Sequence, residues 1–258
     1  MKIIPLSEGS FTIDQTKEFV PFQTSVDDLQ SRSRGSLLVE IQPFLVITEK
    51  DVLLLDTGLG FTDGQGILQL HQNLALNGFY PSDVTKVLMT HLHKDHAGGL
   101  FIHDSLTNED KLAFPNATYY IHRKEIEFAL SGHSASYDTT SFESLLENEQ
   151  VMLLEEGKGI IDGYIAFEIS AGHSPFHQVF SIFENNQIVF FGGDEAPQLQ
   201  QMKTKFVAKY DSDGKKAMEL RSQWWELGIK EGWVFLFYHD IKTPTFGESG
   251  DSVIVKLS

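Results

Sequence analysis

The 258-residue chain contains no cysteine. Disulfide bonds, thiolate zinc sites and cysteine nucleophiles are therefore excluded together. Any metal ion must be held by histidine or acidic side chains, because these are the remaining strong protein ligands. The candidate metal ligands are therefore found among the 10 histidines and the 36 acidic residues.

Long apolar runs and basic residues are also in short supply. No stretch reaches the length of a membrane span, and the opening MKIIPLSEGS lacks the apolar core of a signal peptide. We therefore expect a cytoplasmic protein without a membrane partner.

The net charge is −16, with 20 basic residues against 36 acidic ones. Nucleic-acid binding usually requires a basic surface, so the expected partner is a small-molecule substrate and not a nucleic acid.

Short apolar runs that end in a polar residue recur along the chain. Such runs predict buried strands, and they cover 52–55, 87–89, 164–169, 188–191 and 234–238. Each is followed, directly or within a few residues, by an aspartate or a histidine. The sequence therefore predicts that these side chains gather along one edge of the sheets.

Helical periodicity separates the strands. Ile67, Leu70, Leu74 and Leu76 are placed on one helix that ends before Gly78. The segments 124–130 and 141–146 predict short helices, and 214–229 predicts the longest one. The apolar face of that longest helix is predicted to consist of Ala217, Leu220, Trp224 and Leu227. Strands interleaved with helices, without a repeat or linker, indicate an α/β or α+β fold.

The segment MTHLHKDHAGG carries the strongest chemical signal. In an extended strand end, alternate residues share a face, so His91 and His93 can point at one metal ion. Asp95 and His96 follow after the chain turns, where they can face a second ion. Four potential ligands within six positions, directly after an apolar strand, predict a metal site.

Further candidate ligands lie elsewhere in the sequence. The segment GHSPFH contains His173 and His177, FFGGD ends at Asp194, and FYH ends at His239. The segment LDTG places Asp56 after the first predicted strand. Taken singly, each is as well explained by a turn or an ordinary strand end.

Taken in order, these segments resemble the metallo-β-lactamase superfamily over nearly the whole chain. The family's His-x-His-x-Asp-His motif corresponds to HLHKDH, and its later His, Asp and His elements follow in the right order. The resemblance implies an α+β fold, the αββα sandwich, in which two mixed β-sheets pack face to face with helices on both outer faces. It also implies a single domain over 1–258 and a site for two metal ions at one edge.

The resemblance also implies a role for each residue. The implied ligands are His91, His93 and His173 for one ion, Asp95, His96 and His239 for the other, and Asp194 as the bridge. Asp56 is expected to fix the orientation of a ligand imidazole, and His177 is expected to lie beside the ligands without binding metal. Two divalent ions are expected, with zinc first and manganese, iron or cobalt as alternatives, because histidine and aspartate serve all four.

The implied reaction is hydrolysis by a hydroxide shared between the two ions. Asp95 is the expected catalytic residue, which passes the proton to the leaving group. The chain is most similar to the branch of N-acyl-homoserine lactonases and methyl parathion hydrolase, so lactones or related esters are the predicted substrates. An organophosphate triesterase and a thioesterase are the alternatives, whereas a non-catalytic metal-binding scaffold would predict a damaged ligand set.

Two positions depart from the lactonase pattern. The lactonases place a tyrosine shortly after the bridging aspartate, where this chain has Glu195-Ala196-Pro197-Gln198. Phe176 replaces the glycine that usually separates the two histidines of the third motif. Phe176 and Pro197 are therefore predicted to line the substrate pocket. Four other aromatic residues are interpreted as core or homodimer contacts, with an apolar pocket as the alternative: Phe19, Phe22, Trp224 and Trp225.

Overall fold

The computed structural model describes residues 1–104 and 107–247 and the backbone of 253–254. The remaining residues of the predicted domain 1–258, at 105–106, 248–252 and 255–258, lie outside the described residues. The helices are α1 (Gln69–Leu76), α2 (Lys94–Ala97), α3 (Arg123–Leu130), α4 (Leu199–Lys203) and α5 (Gly214–Glu231). Short 3-10 helices cover Leu29–Ser31, Pro81–Asp83, Phe142–Leu146 and Gly193–Glu195.

The strands, in chain order, are β1 (Lys2–Pro5), β2 (Gly9–Ile13), β3 (Val20–Pro21), β4 (Leu37–Ile41), β5 (Phe44–Ile47), β6 (Val52–Leu55), β7 (Lys86–Leu88), β8 (Phe101–Asp104), β9 (Glu109–Leu112), β10 (Thr118–His122), β11 (Val151–Leu154), β12 (Lys158–Ile161), β13 (Ile165–Ile169), β14 (Gln178–Glu184), β15 (Gln187–Phe191), β16 (Val234–Leu236), β17 (Thr245–Phe246) and β18 (Val253–Ile254). One sheet has the order β11-β10-β7-β6-β5-β1-β18, and a second has the order β12-β13-β14-β15-β16-β17. Two smaller sheets, β3-β2-β4 and β8-β9, complete the topology.

Three apolar layers show how the two large sheets and the helices pack. Leu53 and Leu55 of β6 face a core shared with Phe180 of the second sheet, whereas Leu54 faces α1 and α3. A strand buried on both faces reads as a continuous apolar run. On the far side of the second sheet, Phe190 packs against α4 and α5. The layers therefore follow the order α, β, β, α, which confirms the predicted sandwich.

The longest helix differs from its predicted face. The apolar pattern placed Leu227 inward, but Leu227 is 41% exposed and Arg221 is buried instead. The Arg221 guanidinium donates to the carbonyl oxygens of Glu195 at 2.9 Å and Phe206 at 2.7 Å. A buried cation is tolerated when such acceptors surround it. Likewise, the predicted helix 141–146 is a 3-10 helix over Phe142–Leu146.

The two tryptophans of the long helix are partly buried and pack against the core, which is one of the roles predicted for them. The ring centroids of Trp224 and Phe190 are 4.9 Å apart, and those of Trp225 and Phe235 are 5.6 Å apart. Within the described part of the chain, no helix combines the length and the apolar character that crossing a bilayer requires.

Candidate metal centre

The candidate ligands follow strands that end at one edge of the sandwich. Strands β6 and β7 pair in parallel, as do β15 and β16. The carboxyl ends of neighbouring parallel strands meet at the same edge, where open sheets bind ligands. The segments after these strands carry Asp56, His91, Asp194 and His239, and the segment after β13 carries His173.

Asp194 stands at the middle of the cluster. Its Oδ1 lies 2.8 Å from Nε2 of His239 and 3.1 Å from Nε2 of His96. Its Oδ2 lies 3.2 Å from Nε2 of His173. The two oxygens of one carboxylate therefore face two different groups of imidazoles.

Two groups of potential metal ligands are found among the described residues. In each group the ligand atoms lie within 4.8 Å of one another, and the groups are His91, His93, His173 and Asp194, and Asp95, His96 and His239. Nε2 of His91 is buried without a hydrogen-bond partner in the described part of the chain. Imidazole nitrogens and carboxylate oxygens that converge without other partners fit divalent metal ions such as zinc.

Asp56 fixes the orientation of one imidazole. Its Oδ2 lies 2.7 Å from Nδ1 of His96, and its two oxygens also accept the backbone N–H and the hydroxyl of Thr90. Asp56 is fully buried with a backbone φ of 57°. Because Nδ1 of His96 is occupied by this carboxylate, Nε2 is left to face the site.

Other imidazoles of the cluster are held in the same way. Nδ1 of His239 donates to the backbone oxygen of Glu40 at 2.7 Å, and Nδ1 of His173 lies 2.9 Å from Oδ1 of Asp211. Asp211 belongs to the connection between α4 and α5, 38 residues after His173. Sequence reasoning missed Asp211, because nothing in its local pattern distinguishes it from a loop aspartate.

Replacement of this carboxylate tests its orienting role. Asp211→Ala is expected to weaken metal affinity by about 10- to 100-fold, the usual effect of losing a partner of a ligand histidine. Metal affinity measured by competition with a chromophoric chelator checks this result. The matched control is Asp213→Asn, two residues away, because asparagine preserves the cap that Asp213 provides to α5. Equal affinities of Asp211→Ala and the wild type would show that His173 does not need this partner.

His177 uses both ring nitrogens inside the protein. Its Nε2 lies 3.2 Å from the backbone nitrogen of Asp194, and its Nδ1 lies 2.9 Å from the hydroxyl oxygen of Ser170. The ring therefore holds the Asp194 backbone in place, and neither nitrogen is left for a metal ion. Gly193 allows His177 to come this close to the backbone, because a Cβ at position 193 would lie 3.0 Å from Nε2 of His177 and 2.8 Å from Oγ1 of Thr90.

Two buried glutamates anchor the loops that carry the ligands. Oε2 of Glu195 accepts hydrogen bonds from the Ser170 hydroxyl at 2.8 Å and from the His173 backbone at 3.0 Å. Oε1 of Glu125 accepts from the Leu92 backbone, between His91 and His93, at 3.0 Å. Burial raises the pKa of Glu125 to about 7. Neither glutamate was predicted from the sequence as part of the site.

Charge is distributed unevenly across the cluster. Burial lowers the pKa of His91 and His93 well below the usual range, with neighbouring histidines adding to the effect. Burial also opposes protonation of His96, but the carboxylates of Asp194 and Asp95 raise its pKa well above the usual range. Despite its burial, the surrounding histidines hold the pKa of Asp194 well below its usual value. Neutral imidazoles beside an ionised carboxylate are the forms that bind metal.

A cavity of about 1290 Å³ opens onto the cluster. Its lining includes His93, Asp95, His173, Asp194 and His239. Pro197 lines it as well, whereas Phe176 is not among the described residues that border it. The Phe176 ring instead lies 6.0 Å from the ring of Phe128 and 6.4 Å from that of His122, measured between centroids. Phe128 itself borders the cavity, so Phe176 packs against a residue of the cavity wall, and its contact with substrate stays a prediction.

Comparisons with known proteins agree with this architecture. A family model described as the metallo-beta-lactamase superfamily matches residues 40–224. An N-acyl homoserine lactonase of Bacillus cereus is 26% identical over 231 residues, which are 81% of this chain and 84% of that protein.

Solved structures share the fold. A probable metal-dependent hydrolase from Staphylococcus aureus aligns with a TM-score of 0.75 and 22% identity, over 97% of this chain and 93% of that one. AidC, a dizinc quorum-quenching lactonase, aligns with a TM-score of 0.67 and 19% identity, over 95% and 90% of the two chains. At these identities the structural likeness shows the fold alone.

Proposed function

Because this chain belongs to the metallo-β-lactamase superfamily, we propose that it is a hydrolase with two divalent metal ions that opens lactones or cleaves related esters. The observation that carries this proposal is the position of Asp194. Its two carboxylate oxygens face separate groups of histidines at 2.8–3.2 Å. One carboxylate shared between two groups of ligands is the arrangement that a dinuclear centre requires.

The proposed ligand sets follow the two groups of side chains. One ion is assigned to His91, His93 and His173, the other to Asp95, His96 and His239, with Asp194 between them. The partners of the imidazole Nδ1 atoms support this assignment, because they leave Nε2 of His96, His173 and His239 directed at Asp194. Zinc is the proposed metal, with manganese, iron and cobalt compatible with the same ligands.

The chemistry that such ions supply when bound is activation of water near neutral pH and polarisation of a substrate oxygen. Asp95 borders the cavity and is largely buried. Its Oδ2 lies 3.4 Å from Nε2 of His239 and 3.7 Å from Nε2 of His96. A carboxylate that faces both the ligands and the cavity is suitably placed to carry a proton to the leaving group.

The lactonase pattern has a tyrosine shortly after the bridging aspartate, whereas the tyrosine near the proposed ligands in this chain comes from a different segment. Tyr210 borders the cavity, and its ring centroid lies 6.1 Å from that of His173. Glu195, which occupies the segment after Asp194, is buried against Ser170 and the His173 backbone instead. The similarity to curated lactonases over 81% of the chain supports lactones as the first substrate class.

A substrate panel tests the proposal. Lactones are expected to give the highest kcat/KM on protein of defined metal content, when compared with aryl esters, phosphotriesters and thioesters. The lactones should include acyl-homoserine lactones of several acyl lengths. A phosphotriester that is turned over far faster than any lactone would replace the lactonase proposal with a triesterase, since the same centre can act on phosphorus. Absence of turnover across the whole panel would contradict the proposed hydrolase.

A further inference from the structure

Positive charge surrounds the cavity that leads to the proposed ligands. Four basic side chains line it: Lys17, Arg34, Lys94 and Lys209. The whole chain has only 20 lysines and arginines and a net charge of −16. Apart from the proposed ligands Asp95 and Asp194, Asp14 is the acidic side chain found on this lining among the described residues. The sign of the charge on the cavity wall is therefore opposite to that of the protein.

These cations come from four separate parts of the fold. Lys17 lies in the turn between β2 and β3, and Arg34 precedes β4. Lys94 begins α2, and Lys209 lies between α4 and α5. Segments distant in sequence thus direct basic groups at one cavity.

Within the described part of the chain, the four cations form no ion pair with a carboxylate. Among the described residues, the basic side chains that approach a carboxylate within 4.0 Å are Lys86, Lys111, Arg123 and Lys215, apart from histidines. Lys17, Arg34 and Lys209 are exposed, and Lys94 is partly buried. Their charges are consequently free to meet a bound anion.

Lys94 borders two cavities. Besides the large cavity, it lines a neighbouring cavity of about 580 Å³, whose lining includes Glu18 and Asp138. The other three cations, Lys17, Arg34 and Lys209, border the large cavity alone, on a wall that also includes Tyr210.

We propose that the substrate of this enzyme carries an anionic oxygen group, a carboxylate or a phosphate, at a distance from the bond that is cleaved. The proposal rests on the hydrolase function proposed above. Clefts lined by one sign of charge concentrate ligands of the opposite sign, and lysine and arginine form charge-assisted hydrogen bonds with oxyanions. The metal centre would hold the ester or lactone, while Lys17, Arg34 and Lys209 on the cavity wall would hold the anion.

Matched lactones test this assignment. The probes are three homoserine lactones whose acyl chains are of equal length and end in a carboxylate, a phosphate or a carboxamide, together with 4-nitrophenyl esters of the same acyl groups. We expect kcat/KM to be at least about tenfold higher for an anionic probe than for the carboxamide at low ionic strength. The preference should shrink at 0.5 M salt, because salt screens exposed charges. The carboxylate and phosphate arms distinguish the two sources of the anion.

A double variant tests whether the preference for anionic probes depends on the cations of the cavity wall. Arg34→Gln combined with Lys209→Gln is expected to remove most of the preference through KM, so that the anionic and the carboxamide probes give similar kcat/KM. The control is Lys230→Gln, an exposed lysine at the end of α5, which should keep the preference. Equal kcat/KM for charged and neutral probes in the wild type would overturn the anionic substrate, as would a preference that survives the double variant. Failure to hydrolyse any of the probes, anionic or neutral, would instead overturn the hydrolase function on which the assignment rests.

Discussion

Asp194→Asn is expected to abolish metal binding and hydrolysis together. The carboxylate supplies Oδ1 to His96 and His239 and Oδ2 to His173. An asparagine keeps the size of the side chain but removes its negative charge and replaces one acceptor oxygen with a donor. Loss of metal assistance worth several kcal/mol corresponds to a fall in kcat/KM of at least about 10³-fold. Elemental analysis and hydrolysis of a lactone on the same preparation measure both effects.

A control separates this effect from a general response to aspartate replacement. Asp83→Asn changes an exposed aspartate whose side chain accepts the backbone N–H of Tyr80 at the start of a 3-10 helix, and the side-chain oxygen of asparagine can accept the same hydrogen bond. It should retain metal and activity. If Asp194→Asn kept both its metal ions and wild-type kcat/KM, the bridging assignment would be wrong.

Removal of divalent metal is expected to eliminate activity and to lower thermal stability. In the metal-free protein, Asp194 and the imidazole of His91 remain buried, and that of His93 partly buried, without the ions that their geometry fits. A ligand that binds only the folded state stabilises it by about 4 kcal/mol at 1,000 times its Kd. Chelation followed by removal of the chelator should therefore lower the Tm and stop lactone hydrolysis, and added zinc should restore both.

The matching control is protein carried through the same dialysis without chelator, which should lose neither property. Full activity in chelated protein with negligible metal content would show that catalysis depends on other groups. A lowered Tm with retained activity would assign the metal ions a structural role only.

Four of the proposed ligands are indicated by the local sequence, whereas His173, Asp194 and His239 follow only from the resemblance to the family. The segment HLHKDH contains His91, His93, Asp95 and His96 within six positions, shortly after β7. Strand β7 is buried on both faces. The buried apolar runs are equally visible, so the predicted strand 52–55 coincides with β6.

The supporting residues outside the family's motifs could not be predicted, because tertiary contacts define them. Asp211 reaches His173 across 38 positions, and Glu195 reaches the His173 backbone across 22. In sequence both are ordinary acidic loop residues, since their burial and partners depend on how α4 and α5 pack. Arg221 shows the same limit, because a pattern of apolar residues cannot identify an inward-facing arginine whose partners are backbone oxygens of distant loops.

Phe176 shows a different limit. The departure from the lactonase pattern at this position predicted a pocket residue, but side-chain direction decides that role. Its neighbour Pro175 lines the cavity, while the Phe176 ring turns toward Phe128 and His122. Consecutive residues in an irregular segment can face different ways, and only the fold determines which one borders the cavity.

In the proposed centre, seven side chains hold the two metal ions that hydrolysis requires. The most direct test is a stepwise titration of metal-free protein with zinc, in which bound metal per chain and lactone hydrolysis are measured at each step. We predict that bound metal reaches two equivalents per chain and that full activity is restored only as the second equivalent binds. Saturation at one equivalent with full activity, or the absence of stoichiometric binding, would contradict the dinuclear centre.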